Sequence, residues 1–296
     1  MEASHRYNPK IDLVFRKLFG SEGNKDLLIS LLNGVLDCHP LITDLTIKNP
    51  YSLATYFGGK NSIVDIKAVD TQGCWYDIEM QIGEHGFYGK RAQYYLAKLF
   101  VDQLGEGEDY TVLNPTIGIH LLDFDYFADE RYRRHFVYKD METNECPEEL
   151  KYQQLYFIEM SKFRKDWHEQ MTLLDRWIAF LNKAQKLSSN DMPATLQEEP
   201  NILKAFKKLN HISFNEQERE IYEAELKSRR DDHEELRTAE EKGLVKGLEK
   251  GLAKGREEGR EEGIAEGEAR AMQQALNRLT ASGVPIDEAR RILGMV

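Results

Sequence analysis

In the stretch SIVDIKAVDTQGCWYDIEMQIG, residues 62–83, three of the four acids, Asp65, Asp77 and Glu79, stand within the strand-like segments rather than at the turn. Around them the residues alternate apolar and polar, the pattern of two half-buried β-strands. Thr71, Gln72 and Gly73 suit a three-residue hairpin loop, whose last position favours glycine in the left-handed region. That loop predicts a register in which Lys67 faces Asp77, Asp65 faces Glu79 and Ile63 faces Gln81. Val64, Ile66 and Ala68 then join Tyr76, Ile78 and Met80 on a core face. The other face carries a Lys67–Asp77 pair and, beside it, two facing carboxylates. Like charges directly opposite in a sheet destabilise it by up to about 1 kcal/mol. A divalent cation such as Mg²⁺ would compensate, because it takes hard oxygen ligands and keeps several waters for chemistry. By spacing alone, the same acids also suit an ordinary solvent-facing strand surface neutralised by a nearby lysine such as Lys60.

Positioning such a pair needs a core. Ile11, Val14, Phe15 and Leu18 follow helical spacing after Asn8-Pro9, which predicts a helix capped by Asn8 with proline at its first position. A second helix is expected over 24–36 and another over 87–104. Short β-branched and aromatic runs at 115–124, 133–140 and 155–160 read as strands. From Trp167 onward the chain reads as helical, most clearly at 171–181.

Composition narrows the class. The chain has 296 residues, 41% hydrophobic and 31% charged, enough for one good-sized α/β domain plus an extension. No apolar run of membrane-spanning length occurs and the N-terminal segment lacks the apolar core of a secretory signal, so a soluble, cytosolic protein away from membranes is expected. Cys38, Cys74 and Cys146 are scattered, which argues against a disulfide framework or a zinc site. There is no Walker A motif and no dinucleotide-binding glycine fingerprint. A net charge of -11 argues against whole-surface nucleic-acid binding. Residues 216–270 hold 18 acids against 12 bases, so the remainder is only mildly acidic.

These shifts divide the chain into 1–215, a charged helical extension at 216–272 and a short helical end at 273–296. The extension has glycine at 243, 247, 251, 255, 259, 263 and 267. Each glycine costs a helix roughly 1 kcal/mol relative to alanine. A four-residue period drifts about 40° per step, leaving a slowly winding stripe that another backbone could approach. A solvated helix, self-association or docking of a protein partner all fit this pattern.

Five segments taken in order, KIDLVFRKLFG (10–20), KNSIVDIKAVDTQGCWYDIEMQ (60–81), RAQYYLAKLF (91–100), DYTVLNPTIGIHLLDF (109–124) and the glycine-periodic tail, resemble the recombination-promoting nuclease (Rpn) family. That transposase-like family lies within the PD-(D/E)XK nuclease superfamily. The resemblance implies a restriction-endonuclease-like α/β fold, a mixed sheet flanked by helices, with a long helical C-terminal extension. It also implies metal-dependent cleavage of DNA, with Asp65, Glu79 and Gln81 as catalytic residues. Asp65, Glu79 and the Met80 carbonyl would hold Mg²⁺, or Mn²⁺ in its place. Asp12 is a further candidate ligand, equally readable as an i,i+4 partner of Arg16. Gln81 stands where the superfamily has lysine; a neutral amide can orient water but supplies no positive charge. Arg91, Tyr95 and Lys98, a helical stripe, and Arg16 are candidate DNA contacts, and a plain surface stripe fits the spacing equally.

The expected activity is that of a Mg²⁺-dependent DNA endonuclease linked to recombination, mobile elements or defence. Cutting both strands requires two sites, so a homodimer is the natural form. The alternative is a catalytically inactive nuclease fold that binds DNA or protein through its C-terminal helix. Nothing in the chain beyond a hydrolytic site suggests the strand joining of a transposase.

Overall fold

The computed structural model describes residues 7–37, 41–49, 66–83, 86–166, 169, 171–187 and 192–295. In chain order, α1 (Asp12–Phe19) and α2 (Lys25–Leu36) precede strands β1 (Leu45–Ile47), β2 (Ile66–Asp70) and β3 (Trp75–Gln81). Helix α3 (Tyr88–Val101) then leads to β4 (Thr116–Leu122), β5 (Arg133–Phe136) and β6 (Gln153–Glu159). Helices α4 (Leu173–Lys183), α5 (Ala194–Gln197), α6 (Pro200–His211), α7 (Glu216–Ala281) and α8 (Ile286–Ile292) follow. The chain separates into two units, residues 1–229 and 230–296, so the first turns of α7 belong with the sheet.

The strands form one mixed sheet in the order β1-β2-β3-β4-β6-β5. β3, β4 and β6 are parallel, and β1, β2 and β5 add antiparallel partners. The β2–β3 hairpin has the expected register over its described length: Lys67 pairs with Asp77 and Ile66 with Ile78. Gly73 takes φ 86°, and Asp70 Oδ1 accepts from the amides of Gln72 (2.8 Å) and Cys74 (3.0 Å). The positive φ at position 73 favours glycine, and a Cβ there would stand 2.8 Å from Asn114 Oδ1, which would have to shift.

Most of the core lies on one face of the sheet. There Ile66, Ala68, Tyr76, Ile78, Met80, Ile119 and Ile158 meet Phe15 of α1, Leu28 of α2, Trp177 of α4 and Phe206 of α6. The opposite face carries α3 and a smaller aromatic cluster of Tyr88, Ala92, Leu122 and Phe157. Consequently β3 is not half-buried as its alternation suggests: Asp77, Glu79 and Gln81 are buried too. Alternation distinguishes the two faces of a strand; whether a helix covers the polar face is decided elsewhere in the chain.

Helix α1 starts later than its sequence suggests. Asn8 does not cap it; its Oδ1 accepts from Lys10 N (3.0 Å) and its carbonyl from Ile11 N (3.1 Å), which makes residues 8–11 a turn. Ile11, with no side-chain acceptor, is the cap residue. The amide of Asp12 is satisfied by Glu225 Oε1 at 3.1 Å, a tertiary contact that no local rule anticipates.

Candidate active site

Glu79 is the centre of the polar face of β3, and it is 1% exposed. A buried carboxylate stays charged only if partners replace its water. Arg91, one turn into α3, binds Oε1 as an ion pair. Oε2 faces the Tyr88 hydroxyl and His120 Nδ1, each at 3.3 Å, and that hydroxyl lies 3.0 Å from the same ring nitrogen. Burial alone would raise the Glu79 pKa; His120, Arg91 and Tyr88 outweigh it and hold the carboxyl below its ordinary value.

The parallel register explains why these groups meet. Glu79 pairs with His120 of β4, and His120 with Phe157 of β6, whose ring stacks on the imidazole at 5.0 Å. His120 was missed as a site residue. Its signal was a single histidine inside the apolar run TIGIHLL, where every neighbour is buried. Its Nε2 has no hydrogen-bond partner among the described residues.

Two further acids are less satisfied. Asp77, 3% exposed, has an Oδ1 without a hydrogen-bond partner among the described residues. Burial pushes its pKa up to about 6, against the pull of Lys67 and His120 and with some help from Glu79. Asp12 on α1 is 8% exposed, and its Oδ1 likewise has no partner there. Burial and the charge of Glu225 push Asp12 up to about 7, while Arg16 and Arg229 pull the other way and Glu79 adds to the rise.

The remaining expected residues separate. Gln81 is buried at the end of β3 and donates from Nε2 to the Gly83 carbonyl at 3.1 Å. Arg91 stacks over the rings of Tyr95 (5.6 Å) and Tyr88 (6.0 Å). Lys98, two turns further along α3, is exposed and pairs with Asp102 at 3.3 Å. Arg16 is buried on α1. Met80 faces the apolar core with its side chain, which leaves only its carbonyl for a ligand role. Asp65 lies outside the described residues.

The donor set suits a hard divalent cation. It consists of carboxylates, and Asp12 Oδ1 and Asp77 Oδ1 are buried with no hydrogen-bond partner among the described residues, a costly state that a bound cation would relieve. Among the described residues, however, no three His, Cys, Asp or Glu side chains are gathered as a ligand set. Nor is any described helix long and apolar enough to cross a membrane.

A family model described as "PD-(D/E)XK nuclease family transposase" matches residues 9–239. No curated protein and no solved structure matches the chain.

Proposed function

The chain belongs to the PD-(D/E)XK nuclease family, whose members generally use divalent metals, and on that premise we propose that it is a Mg²⁺-dependent DNA endonuclease, with Mn²⁺ able to substitute. Its mixed sheet with flanking helices is of the restriction-endonuclease-like kind. The observation that carries the proposal is Glu79. Arg91, Tyr88 and His120 hold its carboxylate ionised at 1% exposure, on the strand that pairs with the one after Asp65, at the position where the family resemblance expects a cation ligand, while Asp12 and Asp77 each keep a buried oxygen without a hydrogen-bond partner among the described residues.

In this reading Asp65, Glu79 and the Met80 carbonyl would hold the cation, with Asp12 beside them. When bound, the cation supplies Lewis-acid neutralisation of the phosphate under attack. Gln81 orients the attacking water; anchored through Nε2, it turns its carbonyl oxygen to the water's hydrogen. Arg91, ion-paired with Glu79 and with its guanidinium partly exposed, would also be able to meet the DNA phosphate. Tyr95 and Lys98 extend that contact along the backbone; Arg16, 3% exposed on α1, is too buried to join it. His120 and Tyr88 fix the rotamer of Glu79 throughout.

The active form is a homodimer, and α7 supports this. Lys242, Lys246, Lys250 and Lys254 each precede a glycine of the repeat, whereas Glu258, Glu262 and Glu266 precede the later ones. A second copy running antiparallel sets lysines against glutamates; a parallel copy sets like against like. Leu244, Leu248 and Leu252 on the same stretch are exposed.

Supercoiled plasmid incubated with the full chain tests the activity. Nicking or linearisation that needs Mg²⁺ and is lost in Asp65→Ala supports it. An intact plasmid with Mg²⁺ and with Mn²⁺, from protein that still binds DNA, leaves the scaffold reading instead.

A further inference from the structure

The first turns of α7 are tied to α1 and to the turn before it by three contacts spaced along one helical face. Glu218 pairs with Lys17 at 2.6 Å, the Tyr222 hydroxyl accepts from Asn8 N at 3.1 Å, and Glu225 Oε1 accepts from Asp12 N at 3.1 Å. The Glu218 and Tyr222 contacts are complete as packing. Glu225 is different, because its two oxygens are used unequally. Oε1 takes both the Asp12 amide and the Arg229 guanidinium, the latter at 2.7 Å. Oε2 is buried and has no hydrogen-bond partner among the described residues. The neighbouring Asp12 carboxyl, more than nine-tenths buried, repeats the situation with its own unpartnered Oδ1.

An acid used only to anchor a helix has no reason to leave a second oxygen dry, nor to sit against another carboxylate in the same state. We propose that Glu225, carried by the helix that begins the C-terminal extension, is a cation ligand, binding a divalent metal together with Asp12 at the edge of the Glu79 site. The inference deepens the nuclease reading and rests on it for the purpose of the cation, though not for its binding. Two carboxylates and several waters suffice for Mg²⁺ or Mn²⁺. The arrangement makes α7 part of the site: without its first turns α1 loses an amide partner and a carboxylate whose charge acts on Asp12.

The test is Mn²⁺ binding to the full chain, followed by electron paramagnetic resonance of the free ion and by the shift of the thermal midpoint on adding Mn²⁺. Glu225→Gln keeps the hydrogen bond to the Asp12 amide and is expected to weaken Mn²⁺ binding at least tenfold, as is Asp12→Asn. Arg229→Ala separates the roles. If Glu225 serves only as a helix anchor, Arg229→Ala and Glu225→Gln, both of which keep the acceptor of the Asp12 amide, leave Mn²⁺ binding unchanged. If Glu225 is a ligand, freeing it from Arg229 tightens Mn²⁺ binding. Unchanged affinity in Glu225→Gln, or no Mn²⁺ binding by the wild type, overturns the inference. Glu225-dependent Mn²⁺ binding with plasmid left intact upholds it while removing the nuclease reading.

Discussion

The two faces of β3 have the same burial and opposite chemistry. Tyr76, Ile78 and Met80 pack against helices α1, α2, α4 and α6, where close packing is the whole explanation. Asp77, Glu79 and Gln81 are buried one residue away, under α3, with Glu79 partnered by Arg91, Tyr88 and His120 and with Asp77 left partly unpartnered. Burial in itself therefore marks nothing. A function is marked by polar groups whose burial costs more than their contacts return. Asp175 on α4 is the control within the same molecule. It is 0% exposed, yet it binds the Tyr132 hydroxyl (2.6 Å), Lys165 (2.7 Å) and the Thr172 amide (2.9 Å), and closes a capping box with Thr172. That acid is saturated and structural.

The comparison can be broken at either face. Glu79→Gln should lower the rate of plasmid cleavage by about 10³-fold, ~4 kcal/mol of transition-state stabilisation, while the thermal midpoint moves less than for a core change. Ile78→Ala, on the facing side of the same strand, should do the reverse. A loss of about 3 kcal/mol in urea unfolding is expected, with cleavage by the remaining folded protein close to normal. If both variants lost stability and activity together, the two faces would not be separable.

A pair of buried acids sharpens the contrast by sign. The Lys165, Tyr132 and Thr172 contacts, opposing burial, hold Asp175 below its ordinary pKa, so its stabilisation is present at neutral pH and lost as pH falls through the folded value. Asp175→Asn should cost about 2 kcal/mol at pH 7 and much less in acid. Asp77 is raised to about 6, so folding binds a proton and stability falls as pH climbs from about 4 to about 6. Asp77→Asn should therefore raise the midpoint at pH 8 and have little effect at pH 4. The smallest effect belongs to the extension. Gly251→Ala meets nothing within 4 Å, so circular dichroism should show a helix stabilised by about 1 kcal/mol. If a second copy lies against that stripe, the same change should weaken the dimer.

Much of this arrangement was legible in local patterns. The hairpin register followed from Gly73 and the alternation around it, because loop length sets register and period two sets faces. Helices at 25–36 and 173–183 and strands at 116–122 and 153–159 followed from apolar periodicity. The short strand at 45–47 did not, since three residues carry no period. Within the site, Glu79 stood out by type and spacing, and Gln81 through the family resemblance. His120 and Glu225 did not, because each becomes significant only through a partner far along the chain: Glu79 across a parallel ladder, Asp12 across α1 and α7. The sequence by itself determined which residues could share a strand face and which acids stood two apart. Only the tertiary structure decided that this face is sealed under α3. Dehydration depends on neighbours brought from other segments, and it is dehydration that turns an ordinary carboxylate into one whose charge must be met.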